Sequence, residues 1–489
     1  MDSIEKIYAV NAEALSASNN IVQFDIPAGS MYDFSKSAVM LNMRLTTSHA
    51  DANVTDAICS FPVAINIGNN DFASYLKTSA LIKNAHLDSQ AVGRVEELRD
   101  VALLRNTLAQ MNESENQVMG GEMMNSMAVR AFQPYGSISP LIEATARSGE
   151  TSRYVDKLVK IPFSDILNVG KVQMFDTARL GTCRLHLEVN MDKIAVEPAT
   201  MLETYFTTQK NGQVVDNAVA GAVTEVVLGV GAVSKKYDES FESDLPYYIG
   251  QPLEVASGTL DGADISGTLR KINDITQAAD GSVTLTLNAS LGTIAGAGTV
   301  NVIFKPAVDN FTASIEVSQP ELRLYSVGSA NMPAQRPDKI EFTKYTLERD
   351  FGSGQNNFKR QYVVPAEAIN AVVCMKNQTD GLLSNLAFEN ARVAIDNENT
   401  TDRDVVPFTP LYYNRLDAHG LNSGQPVKSV MGKSFKRIAT DNNRGLNKDI
   451  RVIVESLPVT NREKLVEYDI ESAAGVQEVN FYYEAVASV

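Results

Sequence analysis

The sequence predicts an all-β chain of two tandem eight-stranded jelly-roll β-sandwiches, the first carrying a short helical excursion and an inserted small β subdomain. Three observations predict it. Cys183, Leu185, Leu187 and Val189 alternate with Arg184, His186, Glu188 and Asn190. Side chains two apart share a face of an extended chain, so this is a strand with one buried and one wetted side, as in an antiparallel sheet covered on one face. Beyond Asp338, eight short extended segments follow one another with turns and no convincing helix, which suits a two-sheet sandwich. Between the halves, Gly328–Asp338 (GSANMPAQRPD) is polar, aperiodic and carries two prolines, as a linker does.

These boundaries place the first sandwich at 1–328, a linker at 329–338 and the second sandwich at 339–489. In the first, Asn20–Pro27 alternates through Val22, Phe24 and Ile26, and Ala38–Thr46 through Val39, Leu41, Met43 and Leu45. Phe61–Ile67 is a third candidate strand. From Gly93 to Asn112 the apolar positions Val95, Leu98, Ala102, Leu104, Leu108 and Met111 recur every three to four residues. That spacing predicts an amphipathic helix, with Glu96, Glu97, Arg99, Arg105 and Asn106 on its wet side, inside a helical excursion over about 75–150. Lys160–Phe163 with Ile166 and Leu167 reads as a looser extended segment. The inserted β subdomain, about 199–310, is rich in Gly, Ala, Val and Thr, with strands at Ser282–Asn288 and Thr299–Phe304; Ser314–Val327 then returns to strand. In the second sandwich the strands are Ile340–Leu347, Phe358–Val364, Ala371–Met375, Ala391–Asp396, Ser434–Ala439, Ile450–Leu457, Lys464–Ile470 and Val476–Val486.

At 489 residues the chain exceeds one ordinary core. Its formal charge of −16 argues against a protein that wraps nucleic acid, since phosphate binding needs a basic face. Cys59, Cys183 and Cys374 lie far apart, forming neither a disulfide framework nor a metal box. The N-terminus lacks the basic and apolar regions of a signal peptide, and no run of ~18 apolar residues would span a membrane.

Candidate chemistry is sparse. His49, His86, His186 and His419 are isolated in sequence, without HExxH or paired cysteines, and read as structural or surface residues. Asp396-Asn397-Glu398-Asn399 with Asp402 and Asp404 invites a calcium reading. The EF-hand loop, however, needs Gly and Glu where Thr401 and Pro407 stand, so a plain acidic turn is expected. Gly292–Gly298 matches no phosphate-binding fingerprint, and Gly432-Lys433-Ser434 lacks the earlier P-loop glycine. The pairs Tyr412-Tyr413 and Tyr482-Tyr483 could stack bases, but acidic neighbours such as Glu478 and Glu484 oppose it. No nucleophile elbow is present. The residues thus predict no enzyme, no cofactor, and neither catalytic nor metal site.

Three segments carry a family resemblance: Ile161-Pro162-Phe163 leading to LGTCRLHLEVN; KIEFTKYTLERDF to VVPAEAINAVVCM at Lys339–Met375; and RVAIDNENTTDRDVVPFTPLYY at Arg392–Tyr413. The chain resembles double jelly-roll major capsid proteins, nearest to those of Polinton-like viruses and virophages, with a fainter likeness to large DNA viruses of algae. Asn397-Glu398-Asn399 departs from the family's Asn-Gly pattern, and the 199–310 insertion matches no motif. The resemblance implies a capsid protein of a double-stranded DNA virus, made inside the host cell and carried in the virion. It also implies pseudo-hexagonal homotrimers tiling an icosahedral shell, with neighbouring capsomers, penton and minor capsid proteins as partners and no sequence-specific nucleic-acid binding. The alternative is a carbohydrate-binding or adhesive β-sandwich, which the complete absence of Trp disfavours.

Overall fold

The computed structural model describes residues 3–49, 63–67, 78–112, 152–191, 194–198, 221–228, 252–277, 283–294, 301–306, 311–328, 331–332, 339–352, 354–376, 388–401, 404–405, 453–472 and 478–489. The strands begin with β1 (Ser3–Tyr8), β2 (Ala14–Leu15), β3 (Ile21–Ile26), β4 (Met31–His49) and β5 (Val63–Ile67). Next come β6 (Ile82–Ser89), β7 (Gly93–Arg99), helix α1 (Val101–Asn112), β8 (Ser152–Pro162), β9 (Phe175–Asp176), β10 (Cys183–Val189) and β11 (Ile194–Pro198). An excursion follows with β12 (Gly221–Ala222), β13 (Glu225–Leu228), β14 (Pro252–Leu260), β15 (Ala263–Asp264), β16 (Leu269–Gln277), β17 (Val283–Leu287), β18 (Thr293–Ile294) and β19 (Asn301–Pro306). The chain returns through β20 (Phe311–Ser326). It ends with β21 (Glu341–Phe351), β22 (Asn357–Val364), β23 (Ala368–Lys376), β24 (Phe388–Ile395), β25 (Glu398–Asn399), β26 (Ile453–Ser456), β27 (Lys464–Ser472) and β28 (Glu478–Ser488).

Strand order defines the architecture. One sheet runs β1-β20-β4-β8 and another β3-β10-β6-β7. Counting only these eight strands along the chain, the orders are 1-8-3-6 and 2-7-4-5. The later sheets, β21-β28-β23-β26 and β22-β27-β24-β25, give the same two orders. Every pairing is antiparallel. First strand beside last and second beside seventh is the jelly-roll winding, two Greek keys closed over one core. The protein is a double jelly roll.

Alternation explains the two-faced sheets. In β10, Cys183, Leu185, Leu187 and Val189 are buried, with Arg184 exposed and His186 and Glu188 half-buried. Val22, Phe24 and Ile26 of β3 face the same interior. Phe34 fills the centre of the first sandwich, its ring 4.3 Å from Phe175 and 4.8 Å from Phe163. In the second, Phe481 stacks on Tyr362 with centroids 4.1 Å apart and ring planes within 3° of parallel. One continuous apolar cluster includes residues of both sandwiches, from Val22 to Tyr482.

The structure corrects several expectations. The helix expected over Gly93–Asn112 is strand β7 followed by α1, joined at Asp100 with φ 53°. Val95 and Leu98 satisfy helical spacing, yet pairing with β6 prevails. The segment after Pro162 is not extended: Phe163–Ile166 is a helical turn and Asn168–Lys171 a 3-10 turn. Gly170 lets the two turns touch, because a β-carbon there would overlap the Phe163 carbonyl. Strands β1 and β6 are additions to the sequence reading. The Ser434–Ala439 strand, His419, Asp402, Tyr412, Tyr413, Cys59 and Gly432–Ser434 lie outside the described residues.

In the excursion, β13-β17-β16-β14-β15 form one sheet with β19 on β14, and β12 pairs with β18. It leaves the first sandwich between its seventh and eighth strands.

Candidate functional site: the joint and the outer ladder

Two polar groupings stand out from an otherwise apolar construction. The first joins the sandwiches. A β-bulge in the β6–β7 pairing places Glu96 opposite Leu87 and Arg94 opposite Asp88, so Val95 and Glu96 both turn away from water. The buried Glu96 carboxylate accepts backbone N–H bonds from Asn168 (3.0 Å) and Val169 (2.7 Å). Burial pushes its pKa up, while those two bonds and the Arg105 charge pull it back in part. Arg105, on α1, donates to Asn168 Oδ1 (3.0 Å), and Asn168 Nδ2 donates to Thr343 Oγ1 (3.1 Å) on β21 of the second sandwich. Glu96 and Arg105 thus occupy the interior, contrary to the wet helix face the periodicity assigned them.

Beside this network, Arg349 of β21 donates to Asp100 Oδ2 (2.8 Å) and lies 3.2 Å from Glu478 Oε1. The Tyr482 hydroxyl donates to the Asp100 carbonyl at 3.3 Å. Tyr482 is fully buried, so it is no base-stacking platform; Tyr483 packs partly buried against the core.

The second grouping is a ladder on the outer face of β3-β10-β6-β7. One row aligns Gln23, His186, His86 and Glu97 across the four strands. The next aligns Asp25, Arg184, Asp88 and Arg94. Arg184 Nε donates to Asp25 Oδ1 at 2.6 Å, and Arg94 Nε to Asp88 Oδ1. The two imidazoles stack with centroids 4.4 Å apart and planes 22° apart. Partial burial lowers the pKa of each below the ordinary 6.5. His86 and His186, isolated in sequence, are therefore direct cross-strand neighbours; the sequence shows the outward position of each but not the register that pairs them. The side chain of His49 lies outside the described residues.

The acidic loop is a tight hairpin. Asp396 and Asn397, with φ 51° and 68°, form the two-residue turn between β24 and β25, the left-handed pair a type I′ turn needs. Asp396 Oδ1 accepts from Leu465 N (2.9 Å), and Asp404 Oδ1 from Arg392 Nε (2.8 Å), so both carboxylates serve the fold.

No family model matches the chain, and no curated protein matches it. Among solved structures, the Sputnik virophage structure matches with a TM-score of 0.46 and 10% identity, over 99% of this chain and 85% of that one. The mavirus major capsid protein matches with a TM-score of 0.38 and 11% identity, over 99% and 86%. The PBCV-1 virus capsid matches with a TM-score of 0.39 and 7% identity, over 100% and 94%. Strand order, not these scores, establishes the fold. Among the described residues no helix is long and apolar enough to cross a membrane.

Proposed function

We propose that the chain is the major capsid protein of a double-stranded DNA virus and acts as a structural building block, not an enzyme. The observation that carries the reading is the repetition of one complete eight-strand winding in a single chain, with a polar network linking the two copies. Two like modules per subunit make a trimer six-cornered, a shape that tiles a shell. In this reading the chain divides at 329–338, and the 199–310 excursion stands on the outside of the shell. Pseudo-hexagonal trimers meet neighbouring capsomers, penton and minor capsid proteins in the virion.

Exposed apolar side chains on one face of β1, with Lys6 between them, support association. Ile4 and Tyr8, on the outer face of the edge strand β1, are 62% and 63% exposed, and Val10 continues the same parity. A second copy would bury them, as obligate interfaces of ~2,000 Å² and more bury apolar centres. Light scattering on the purified chain is expected to give a stable trimer, and electron microscopy particles of hexagonal outline. A monomer at every concentration, or saturable binding to one sugar class on a glycan array without assembly, refutes the proposal.

A further inference from the structure

We propose that His86, His186 and Asp88 bind a zinc ion on the outer face of the first sandwich, with water in the fourth position. The candidate donor atoms of these residues all lie within 4.8 Å of one another. His86 and His186 are register partners on neighbouring antiparallel strands, so their β-carbons sit about 5 Å apart, near enough for both rings to reach one ion. Asp88 lies two residues beyond His86 and therefore on the same face. Its Oδ2 is 3.5 Å from His86 Nε2, while Arg94 engages Oδ1. That division suits a ligand carboxylate: one oxygen is anchored from behind and the other is aimed at the imidazole.

A tetrahedral zinc with bonds near 2.0–2.1 Å asks for donors about 3.3 Å apart, so closure requires a shift of about 1.5 Å at most, within reach of side-chain rotation. The side chains of His86 and Asp88 are 30% and 34% exposed, which leaves the ion an entry path. Two imidazoles and one carboxylate suit zinc and the late transition metals; magnesium and calcium demand more oxygen. The charged groups facing the site are accounted for: Glu97 pairs with Arg94 and Arg99, and Arg184 with Asp25. Arg94 also holds Asp88 Oδ1, so Asp88 offers the cation its second oxygen, Oδ2, beside the two imidazoles.

The alternative is a plain stacked pair that packs the sheet. Calorimetric titration of the metal-stripped full-length chain with zinc separates them. Saturable binding near one ion per chain is expected, with visible ligand-field bands when cobalt replaces zinc. H86Q and H186Q are each expected to weaken zinc binding at least about tenfold, and D88N to weaken it less. Because the histidines lie on a wet face, both variants should unfold at the parent temperature in EDTA. That control separates a lost ligand from a lost fold. No saturable zinc binding, equal binding of magnesium, or unchanged affinity in an H86Q/H186Q double variant would each overturn the site.

Discussion

Lys464 is a cation with almost no exposure, yet its ammonium finds three acceptors: the carbonyls of Ala366 (3.0 Å), Ala368 (2.6 Å) and Pro458 (2.6 Å). Burial draws its pKa below the ordinary 10.5, and the three carbonyls make the charged form tolerable. They also tie the turn before β23 to the approach to β27. K464M keeps the apolar stem and strands the carbonyls, so it is expected to destabilise the protein by about 2–4 kcal/mol, read as a lower urea midpoint at unchanged slope. Nothing in the pattern of residues marks Lys464 as buried, since it opens a strand where polar residues are common. Glu96 was equally hidden. One bulge turned it inward, and bulges leave no periodic trace.

Among the elements, strands with strict alternation were legible: β3 and β10 fall where Val22-Phe24-Ile26 and Cys183 to Val189 place them. The region around β7 was not, because seven residues of strand and twelve of helix share a spacing that suits either. What splits them is Asp100, whose left-handed backbone is held by Asn84 Oδ1 accepting its N–H at 3.0 Å. The same residue receives Arg349 and Tyr482 from the second sandwich, making it the pivot of the joint. A double-mutant cycle on Asp100→Ala and Arg349→Ala is expected to give a coupling energy of about 0.5–2 kcal/mol. A value near zero would mean that this ion pair contributes nothing to holding the two sandwiches together. The pairing of His86 with His186 was illegible for a different reason: a hundred residues separate them, and register is a property of the folded sheet.

Across the whole molecule, carboxylates paired between strands give both sandwiches the same response to acid. The Arg184 guanidinium holds Asp25 below the ordinary carboxylate range, and the Lys359 ammonium does the same for Glu467. For Glu188, burial alone would raise the pKa, but its bonds from Lys83 and Asn84 outweigh it. A group whose folded pKa is depressed binds more protons when unfolded. Its contribution is complete above the unfolded value, about 4, and disappears as pH falls through the folded one. The share of the urea midpoint owed to these pairs is therefore expected to be level from pH 7 to about 5 and to drop below about 4, while Glu96, whose folded pKa is raised, works in the opposite direction as pH falls. If replacing Arg184 and Lys359 by Met left the drop below about pH 4 unchanged, the pairs would be immaterial. These contacts are solvent-screened, so the decline is shallow at high salt.

Among the described residues, the strands of the excursion pair with one another, while the walls it departs from, β10 and β20, are sewn into other sheets. Such wiring decouples the identity of that lobe from the survival of the scaffold beneath. A lineage could lengthen, recolour or discard the lobe, and an engineer could splice a foreign epitope there, without retuning the barrels that carry it.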